Sequence, residues 1–394
     1  MNAEATPIPV PATPPLSPFR PGDPERFVFP ESWQGRLREP RPCPAGTVCE
    51  VEMPSRLHAS VIDMNRFDVG RPGGGGLGFA VAMFCRSRAV VSGGREVVAS
   101  GNRPGIATHL GRLFQAATGV PLGVEIEIND HGRRHMGLGS SITTISAAAV
   151  SLNELFGRPF SQRDLRKLVA HNYCEEAAGD PHSLVPGFET NVGAMAGIHG
   201  GMVVATDECE LLCRMPFPEP MRALLVLPRI GPEVASGDQE VEALLTNARD
   251  GDRQDAREKA YRILMDLLPA MYRGDMQALG EVVYQLTLLG SKRAECSLHG
   301  NHGEEIFRTL RQFREQGAEI VSMSSVGPAV FALSSRPEVW RRWQEWTTPG
   351  VADCALEVPV DNAGARVRID GVPIPYRLEP WWYQPDDRPA GGPT

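Results

Sequence analysis

Residues 135–157, HMGLGSSITTISAAAVSLNELFG, constrain the fold more than any other part of the sequence. Gly137 and Gly139 stand directly before Ser140 and Ser141, and a run of small and apolar residues follows. This pattern predicts a strand end, a glycine turn and then a buried helix. The free backbone amides at such a helix start, with the helix dipole behind them, favour a bound phosphate or diphosphate. A glycine turn that only caps a core helix has the same local pattern, so the surroundings have to decide between the two.

Length and composition limit the class of protein to which this segment can belong. The chain has 394 residues with a hydrophobic fraction of 42% and a charged fraction of 22%, as expected of a globular protein with two ordinary domains. Its net charge of -8 disfavours duplex nucleic acid as a partner. No apolar run is long enough for a membrane span, and the first residues lack the pattern of a secretory signal. With eight scattered cysteines, the protein is expected in the cytoplasm with reduced thiols and no membrane contact.

Four parts are predicted along the chain: a proline-rich arm at 1–45, an N-terminal domain at 46–215, a C-terminal domain at 216–380 and a tail at 381–394. The arm contains twelve prolines and little apolar periodicity, which predicts an extended or disordered segment. Phe27, Phe29 and Trp33 could still pack on a partner. Deletion of residues 1–40 is expected to leave the fold intact, because this composition buries little apolar surface.

Strands and helices are mixed rather than strictly alternating, which predicts an α+β fold with two lobes. Alternation and β-branched content predict strands at 47–53, 78–84, 123–128, 202–206, 223–228, 318–323, 328–333, 354–360 and 365–369. Helical spacing and capping residues predict helices at 104–119, 142–156, 161–177, across most of 238–316, and at 336–346.

A second group of polar residues lies on the first predicted strands. Arg56 and His58 project from the same face of an extended strand, so a guanidinium and an imidazole could bind a carboxylate or phosphate together. A surface arginine beside an edge histidine would have the same spacing. Asp63 follows, and then the glycine-rich stretch 70–76. That stretch is either a flexible hairpin or a lid that closes over a sugar phosphate, and we favour the lid.

Segment 135–157 resembles motif two of the GHMP kinase superfamily, in which a Gly-Leu-Gly-Ser-Ser loop opens a small-residue helix. Segments 51–81 and 321–333 stand in the order of the superfamily's other motifs. Both depart from the kinases, since Pro-Ser-Arg-Leu-His at 54–58 replaces Pro-x-Lys and Ser-Ser-Val-Gly-Pro at 324–328 replaces a glycine-rich motif. In these departures the chain resembles the β-ribofuranosylaminobenzene 5'-phosphate synthase branch.

That resemblance implies a two-lobed GHMP kinase-like fold with mixed and antiparallel sheets. It implies an enzyme that joins an aromatic acid to 5-phosphoribosyl 1-diphosphate (PRPP) with loss of diphosphate and CO₂, and that uses Mg²⁺. We also expect a homodimer. The arginine-rich, lysine-poor composition favours the bacterial C-nucleoside synthases, with an amino-pyrazole carboxylate as acceptor. The alternatives are the 4-aminobenzoate enzyme, an ATP-dependent small-molecule kinase, and a silent binding protein on the same fold.

The resemblance also assigns roles to residues. Many GHMP kinases draw a catalytic aspartate from a Ser-Gly-Val-Asp stretch, and the matching place here reads Thr-Asn-Val-Gly at 190–193. Glycine at the aspartate position argues against a kinase, although Asp180 is near enough in sequence to substitute. The expected site residues are catalytic Arg56, His58, Asp63 and Asp180; substrate-binding Gly137, Leu138, Gly139, Ser140, Ser141, Thr190, Asn191, Ser324, Ser325 and Gly327; and metal-binding Ser141 and Glu176.

Three further features have two interpretations each. The sequence Ser-Gly-Asp at 236–238 could bind the ribose 5-phosphate at a helix start or could only cap that helix. Lys292 could belong to the site or to the surface. Trp340, Trp343 and Trp346 have helical spacing, which is typical of packing or of an interface rather than of a substrate site.

Overall fold

The computed structural model describes residues 17–29, 37–66, 68–132, 137–177, 180–227, 238–297, 302–343, 345–346, 352 and 354–376. The strands are β1 (Val48–Val61), β2 (Gly76–Val91), β3 (Val97–Gly101), β4 (Val124–Asn129), β5 (Cys174–Ala177), β6 (Asp180–Pro186), β7 (Met202–Ala205), β8 (Leu211–Met215), β9 (Arg222–Leu227), β10 (Ile320–Met323), β11 (Val330–Ser334), β12 (Cys354–Pro359), β13 (Arg366–Ile369) and β14 (Val372–Ile374). The helices are α1 (Pro104–Thr118), α2 (Ser140–Leu155), α3 (Gln162–His171), α4 (Val192–His199), α5 (Asp238–Arg262), α6 (Leu268–Arg273), α7 (Met276–Thr287), α8 (Gly290–Ser297), α9 (His302–Glu315) and α10 (Pro337–Trp343).

The first sheet has the order β14-β13-β1-β2-β4-β3, with β7 beside β2 and β8 beside β7. Its long β1–β2 ladder is antiparallel, and β3 and β4 are parallel. Alternation along β4 buries Val124, Ile126 and Ile128 and leaves the intervening side chains exposed, as expected for a sheet with one covered face. Helices α1 and α2 pack on that face, and the core there includes Ile145 and Leu152 of α2.

The second sheet is antiparallel, in the order β10-β11-β9-β12. A shared apolar core joins it to the first sheet, with Phe331 of β11 against Phe79 of β2 at a ring distance of 5.5 Å. The tryptophans of α10 serve packing, since Trp343 is buried and the ring of Trp346 lies 4.8 Å from that of Phe313. Among the described helices, none is both long and apolar enough to cross a membrane. The predicted two-lobed α+β architecture is confirmed.

The predicted helix at 161–177 is wrong in its second half. Helix α3 ends at His171, and β5 and β6 form an antiparallel hairpin after it. The carboxylates of this region therefore lie on a hairpin and not at a helix end. The predicted boundary of the C-terminal domain is also wrong at its far end, because β13 pairs with β1 and completes the first sheet. The second error arises because β13 pairs with a strand far away in sequence, which its own residues do not reveal.

The described part of the arm packs against the first lobe. Residues 17–29 contain little regular structure beyond a short 3₁₀ turn, as predicted. Phe19, however, is buried, and its backbone exchanges two hydrogen bonds with Leu184 of β6, at 2.7 and 2.9 Å. Phe27 packs edge-on against His109. The expectation that the arm buries little apolar surface is wrong for this segment, so its deletion should cost stability. Trp33 lies outside the described residues.

Candidate active site

The glycine turn before α2 lies where two remote segments of the chain reach it. The backbone N–H of Arg56 on β1 donates to the Leu138 carbonyl at 3.2 Å, and its Nη1 donates to the Gly137 carbonyl at 2.8 Å. Ser324, which follows β10, donates its Oγ–H to the same Gly137 carbonyl at 2.6 Å. The three segments that the sequence analysis singled out therefore meet in space. We call residues 137–141 the phosphate turn.

Both glycines of the phosphate turn have positive φ, +69° at Gly137 and +63° at Gly139. A Cβ at Gly137 would lie 2.7 Å from the Ser324 carbonyl oxygen, and one at Gly139 would lie 2.9 Å from the Arg56 guanidinium. Gly139 is the N-cap residue of α2, and among the described residues no side chain caps this helix. Ser141 is half-buried. The turn thus presents a helix start, a guanidinium and a hydroxyl group on one half-open surface, which suits an anion.

The third segment is joined to β1 through backbone groups. His58 N–H donates to Ser324 Oγ at 3.1 Å, and Ser325 N–H donates to the His58 carbonyl at 3.0 Å. Lys292 of α8 donates to the Ser325 carbonyl at 2.5 Å and pairs with Glu295 at 2.6 Å. Lys292 is fully buried, so its interpretation as a surface residue is wrong. It fixes the segment that carries Ser324 and Ser325.

Burial and neighbouring charges set the protonation of this cluster. Burial lowers the pKa of His58 well below its usual value, and the cations Arg56, Lys292 and Lys259 lower it further. His58 is therefore neutral, and its side chain is buried with Nε2 close to Gly76. In this structure His58 contributes backbone hydrogen bonds to Ser324 and Ser325. Its predicted joint binding of an anion with Arg56 stays a prediction.

The charge of Arg56 is opposed by that of Glu189, a buried acid. Burial lowers the pKa of Arg56, and the carboxylate of Glu189 is the strongest opposing charge. Burial raises the pKa of Glu189 to about 7, although Arg56 and the Asn191 N–H favour its charged form. The Asn191 N–H donates to Glu189 Oε1 at 2.5 Å. Sequence analysis missed Glu189, because only the tertiary structure places it near Arg56.

The segment after β1 is held by the C-terminal lobe. Asp63 Oδ1 accepts hydrogen bonds from both the backbone N–H and the side-chain amide of Asn65, each at 3.0 Å. At the end of β1, Lys259 forms a fully buried ion pair with Asp252 and donates to the Val61 carbonyl at 2.9 Å. Asp63 therefore shapes the local turn in this structure, and its predicted catalytic role stays a prediction. Two of the three lysines in the chain, Lys259 and Lys292, are fully buried.

The glycine-rich stretch is not an open lid. Residues 73–76 are all glycines and all buried. We call them the glycine hairpin. The Gly74 N–H donates to Asp207 Oδ1 at 3.0 Å, and the Gly73 N–H donates to the Glu189 carbonyl at 3.3 Å. In this structure the glycines allow close approach of the protein's own chain, and a role of the hairpin as a lid stays a prediction.

Glu176 on β5 approaches the start of α2 through an arginine. Arg103 Nη1 donates to Glu176 Oε2 at 3.2 Å, its Nε donates to Asp130 Oδ2 at 2.8 Å, and its Nη2 donates to Ser140 Oγ at 3.3 Å. Within the described residues, no group of three or more His, Cys, Asp or Glu side chains could hold a metal ion. The Arg103 guanidinium already lies between Asp130, Glu176 and Ser140, so these three residues do not fit a Mg²⁺ held between them. Metal binding by Ser141 with Glu176 stays a prediction.

The segment at 190–193 begins α4. Asn191 is fully buried with φ +65°, and its side-chain amide donates to the Arg166 carbonyl at 3.1 Å. Gly193 packs directly on Ile142 of α2, so closely that a Cβ there would overlap the isoleucine side chain. Thr190 is half-buried. Substrate binding by Thr190 and Asn191 stays a prediction.

Three other predicted positions are Asp180, the segment at 236–238 and Gly327. Asp180 is exposed at the end of the β5–β6 hairpin, where its carboxylate accepts a hydrogen bond from the His182 N–H at 2.9 Å. Residues 236 and 237 lie outside the described residues, and Asp238 begins α5. Gly327, half-buried with φ +85°, donates its N–H to the Ser324 carbonyl at 3.0 Å.

The fold and the phosphate turn define the class of protein. The model of the GHMP kinases N-terminal domain matches residues 106–185, and that of the GHMP kinases C-terminal domain matches residues 267–347. The chain therefore carries both domains of the GHMP kinase superfamily. It is homologous to the β-ribofuranosylphenol 5'-phosphate synthase of Archaeoglobus fulgidus, with 25% identity over 311 residues, which are 71% of this chain and 86% of the relative.

Kinases of the same superfamily are also similar to the chain. The homoserine kinase of Haloarcula marismortui is 28% identical over 223 residues, which are 54% of this chain and 64% of that protein. The crystal structure of homoserine kinase from Cytophaga hutchinsonii superposes with a TM-score of 0.56 at 17% identity, covering 82% of this chain and 97% of that one. The structural likeness shows the fold, and the chemistry has to be argued from the site.

Proposed function

We propose that this protein is a PRPP-dependent C-ribosyltransferase. It would join a ring carbon of an aromatic or heteroaromatic acid to C1 of the ribose and release diphosphate and CO₂. Its homology to β-ribofuranosylphenol 5'-phosphate synthases supports this proposal. The phosphate turn and Arg56 supply the anion-binding surface that a diphosphate substrate needs.

The contact between Gly193 and Ile142 is the observation that favours a C-ribosyltransferase over a kinase. A kinase needs a group that takes the proton from the substrate hydroxyl, and the resemblance to the GHMP kinases implies that the aspartate many of them use for this corresponds to Gly193 here. Here a side chain at that position would overlap Ile142, which belongs to the phosphate-turn helix itself. An aspartate is therefore both missing from the sequence and excluded by the packing.

Arg56 fits the diphosphate better than the acceptor carboxylate. Loss of diphosphate leaves positive charge at the ribose C1 and places negative charge on the departing oxygen. A guanidinium beside that oxygen stabilises the transition state more than the ground state. A guanidinium on the acceptor carboxylate would instead stabilise the group that must leave as neutral CO₂. We therefore assign Arg56 and the start of α2 to the diphosphate.

The acceptor chemistry needs no strong base at the ring carbon. The electron pair of the ring forms the new bond to C1 at the carbon that bears the carboxylate. Cleavage of the bond to CO₂ then returns an electron pair to the ring and restores aromaticity. Because CO₂ leaves in place of a proton, the missing aspartate is no obstacle. The finer choice of an amino-pyrazole carboxylate rests on the composition of the chain, so the candidate acceptors are compared directly in the test.

The test is turnover by the full chain with PRPP and divalent metal. Separate reactions contain 4-aminobenzoate, 4-hydroxybenzoate or an amino-pyrazole carboxylate, and diphosphate and CO₂ are measured in each. We expect equimolar release of both with at least one acid. Replacement of Arg56 by Met should lower kcat/KM for PRPP by about 100-fold, as for loss of one preorganised donor. The matched control is Arg86→Met, because Arg86 is an exposed arginine on β2 that pairs with Glu52.

A parallel reaction contains ATP and homoserine without PRPP. Phosphorylation of homoserine, with no release of diphosphate or CO₂ from any PRPP reaction, would show that the protein is a kinase and that the proposal is wrong.

A further inference from the structure

The Arg103 guanidinium lies inside a cluster of oxygen atoms at the start of α2. Its three nitrogen groups donate to Asp130, Glu176 and Ser140, at 2.8, 3.2 and 3.3 Å. The side chains of Arg103, Asp130 and Glu176 are 5%, 0% and 9% exposed. Two carboxylates and a hydroxyl group held this close together, out of water, need a cation between them.

A divalent metal and a guanidinium satisfy such a cluster in different ways. Mg²⁺ prefers oxygen ligands in an octahedron at about 2.0–2.1 Å and keeps several of its waters. A guanidinium is planar and permanently charged, and it presents its donors in a fixed fork. The separations at Arg103 are those of hydrogen bonds, and Nε, Nη1 and Nη2 each have an acceptor. The planar cation therefore already completes the cluster.

The neighbouring elements fix Arg103 in this place. It is the residue before α1, whose first residue is Pro104, and its acceptors come from the end of β4, from β5 and from the first residue of α2. One side chain thus ties three separate elements to the phosphate turn. Deletion of the guanidinium would remove a cation that contacts both carboxylates.

We propose that Arg103 serves as a built-in cation at the phosphate turn and takes the place of a protein-bound divalent metal ion there. The protein by itself would hold no Mg²⁺ between Asp130, Glu176 and Ser140. Any divalent ion needed for turnover would arrive bound to the diphosphate substrate. The statement about the substrate-bound ion rests on the proposed function. The statement that the protein by itself holds no Mg²⁺ there does not.

The experiment measures Mn²⁺ binding by the full chain without substrate, by the loss of free Mn²⁺ signal in electron paramagnetic resonance. We expect wild type to take up no stoichiometric Mn²⁺ at this site. Arg103→Met removes the charge and keeps the length of the side chain, so it should bind one Mn²⁺ at least tenfold more tightly than wild type. Adding Glu176→Gln to Arg103→Met should abolish that binding.

The matched control is Arg112→Met on the same helix, since Arg112 is partly exposed and pairs with Glu96. This variant should bind Mn²⁺ as wild type does. Circular dichroism checks that each variant is folded, and Arg103→Lys keeps a charge at the cluster if Arg103→Met does not fold. Uptake of one Mn²⁺ by wild type that Glu176→Gln abolishes would overturn the proposal. So would a folded Arg103→Met that binds no Mn²⁺. No turnover is measured, so failure of the proposed function would leave this result intact.

Discussion

The phosphate turn and the glycine hairpin look alike in sequence and differ in what lies against them. At the phosphate turn, Gly139 faces the Arg56 guanidinium at the half-open start of a buried helix. At the glycine hairpin, Gly73 faces the Asp207 carboxylate and the Arg66 carbonyl inside the protein. A glycine shows only that something lies too close for a Cβ. Whether that neighbour is a ligand site or the protein itself depends on the exposure of the turn and on the charges beside it.

The largest effect is expected from Gly139→Val at the phosphate turn. The new side chain would displace the Arg56 guanidinium, and the positive φ would add about 1–3 kcal/mol of strain. We expect the protein to stay folded and kcat/KM for PRPP to fall by at least about 100-fold. Calorimetry with PRPP should show the loss of binding directly. Gly93→Val is the control, because Gly93 is exposed with no atom near its Cβ position. Unchanged PRPP binding in Gly139→Val would mean that the turn only caps α2.

The opposite result is expected at the glycine hairpin. In Gly73→Ala the added Cβ would overlap Asp207 and lie 2.9 Å from the Arg66 carbonyl oxygen. The variant should lose about 2 kcal/mol of unfolding free energy, as is typical of overpacking a buried site, while PRPP affinity of the folded fraction stays close to that of wild type. Chemical denaturation and calorimetry measure the two quantities. A stable Gly73→Ala that has lost PRPP binding would show that this hairpin is the ligand-binding loop.

A pH-dependent effect on stability, without a large loss of PRPP turnover, is expected at Glu189, which contacts the glycine hairpin and acts on Arg56. Its carbonyl accepts the Gly73 N–H, and its carboxyl group is the acid that acts most strongly on Arg56. Burial raises its pKa to about 7, above its ordinary value. Below the ordinary pKa the group is protonated in both the folded and the unfolded chain. As the pH rises toward 7, the unfolded chain loses the proton first, so stability falls.

Glu189→Gln keeps the size of the side chain and removes this titration. Relative to wild type, the variant should gain about 3 kcal/mol of unfolding free energy between pH 4.5 and pH 8.5. Urea denaturation at the two pH values measures this difference. Glu125→Gln, on an exposed position of β4, is the control and should show no such change. A wild-type-like pH dependence in Glu189→Gln would mean that Glu189 is ionised throughout this range and is stabilised by Arg56.

Much of the fold followed from local sequence patterns. The helices at 104–119 and 142–156 were predicted within two residues, because their apolar spacing is regular. Several strands were also located, although β1 and β2 extend well beyond the predicted 47–53 and 78–84. The hairpin at β5 and β6 was not predicted, because its strands are stabilised by each other and by Phe19 of the arm. The return of β13 to the first sheet was missed because its partner β1 lies at the other end of the chain. Pairing over such distances leaves no periodic signal in the strand itself.

The candidate site divides in the same way. The sequence alone determined the phosphate turn, the order of the three segments that meet there and the absence of an aspartate at Gly193, because these depend on residue type and spacing. Only the tertiary structure decided that Arg103 fills the space beside Glu176, that His58 is neutral, that Lys292 is buried and that the glycine hairpin is closed. Each of these depends on burial and on the distance between charges. Those are properties of the packed chain, and residues far apart in sequence set them jointly.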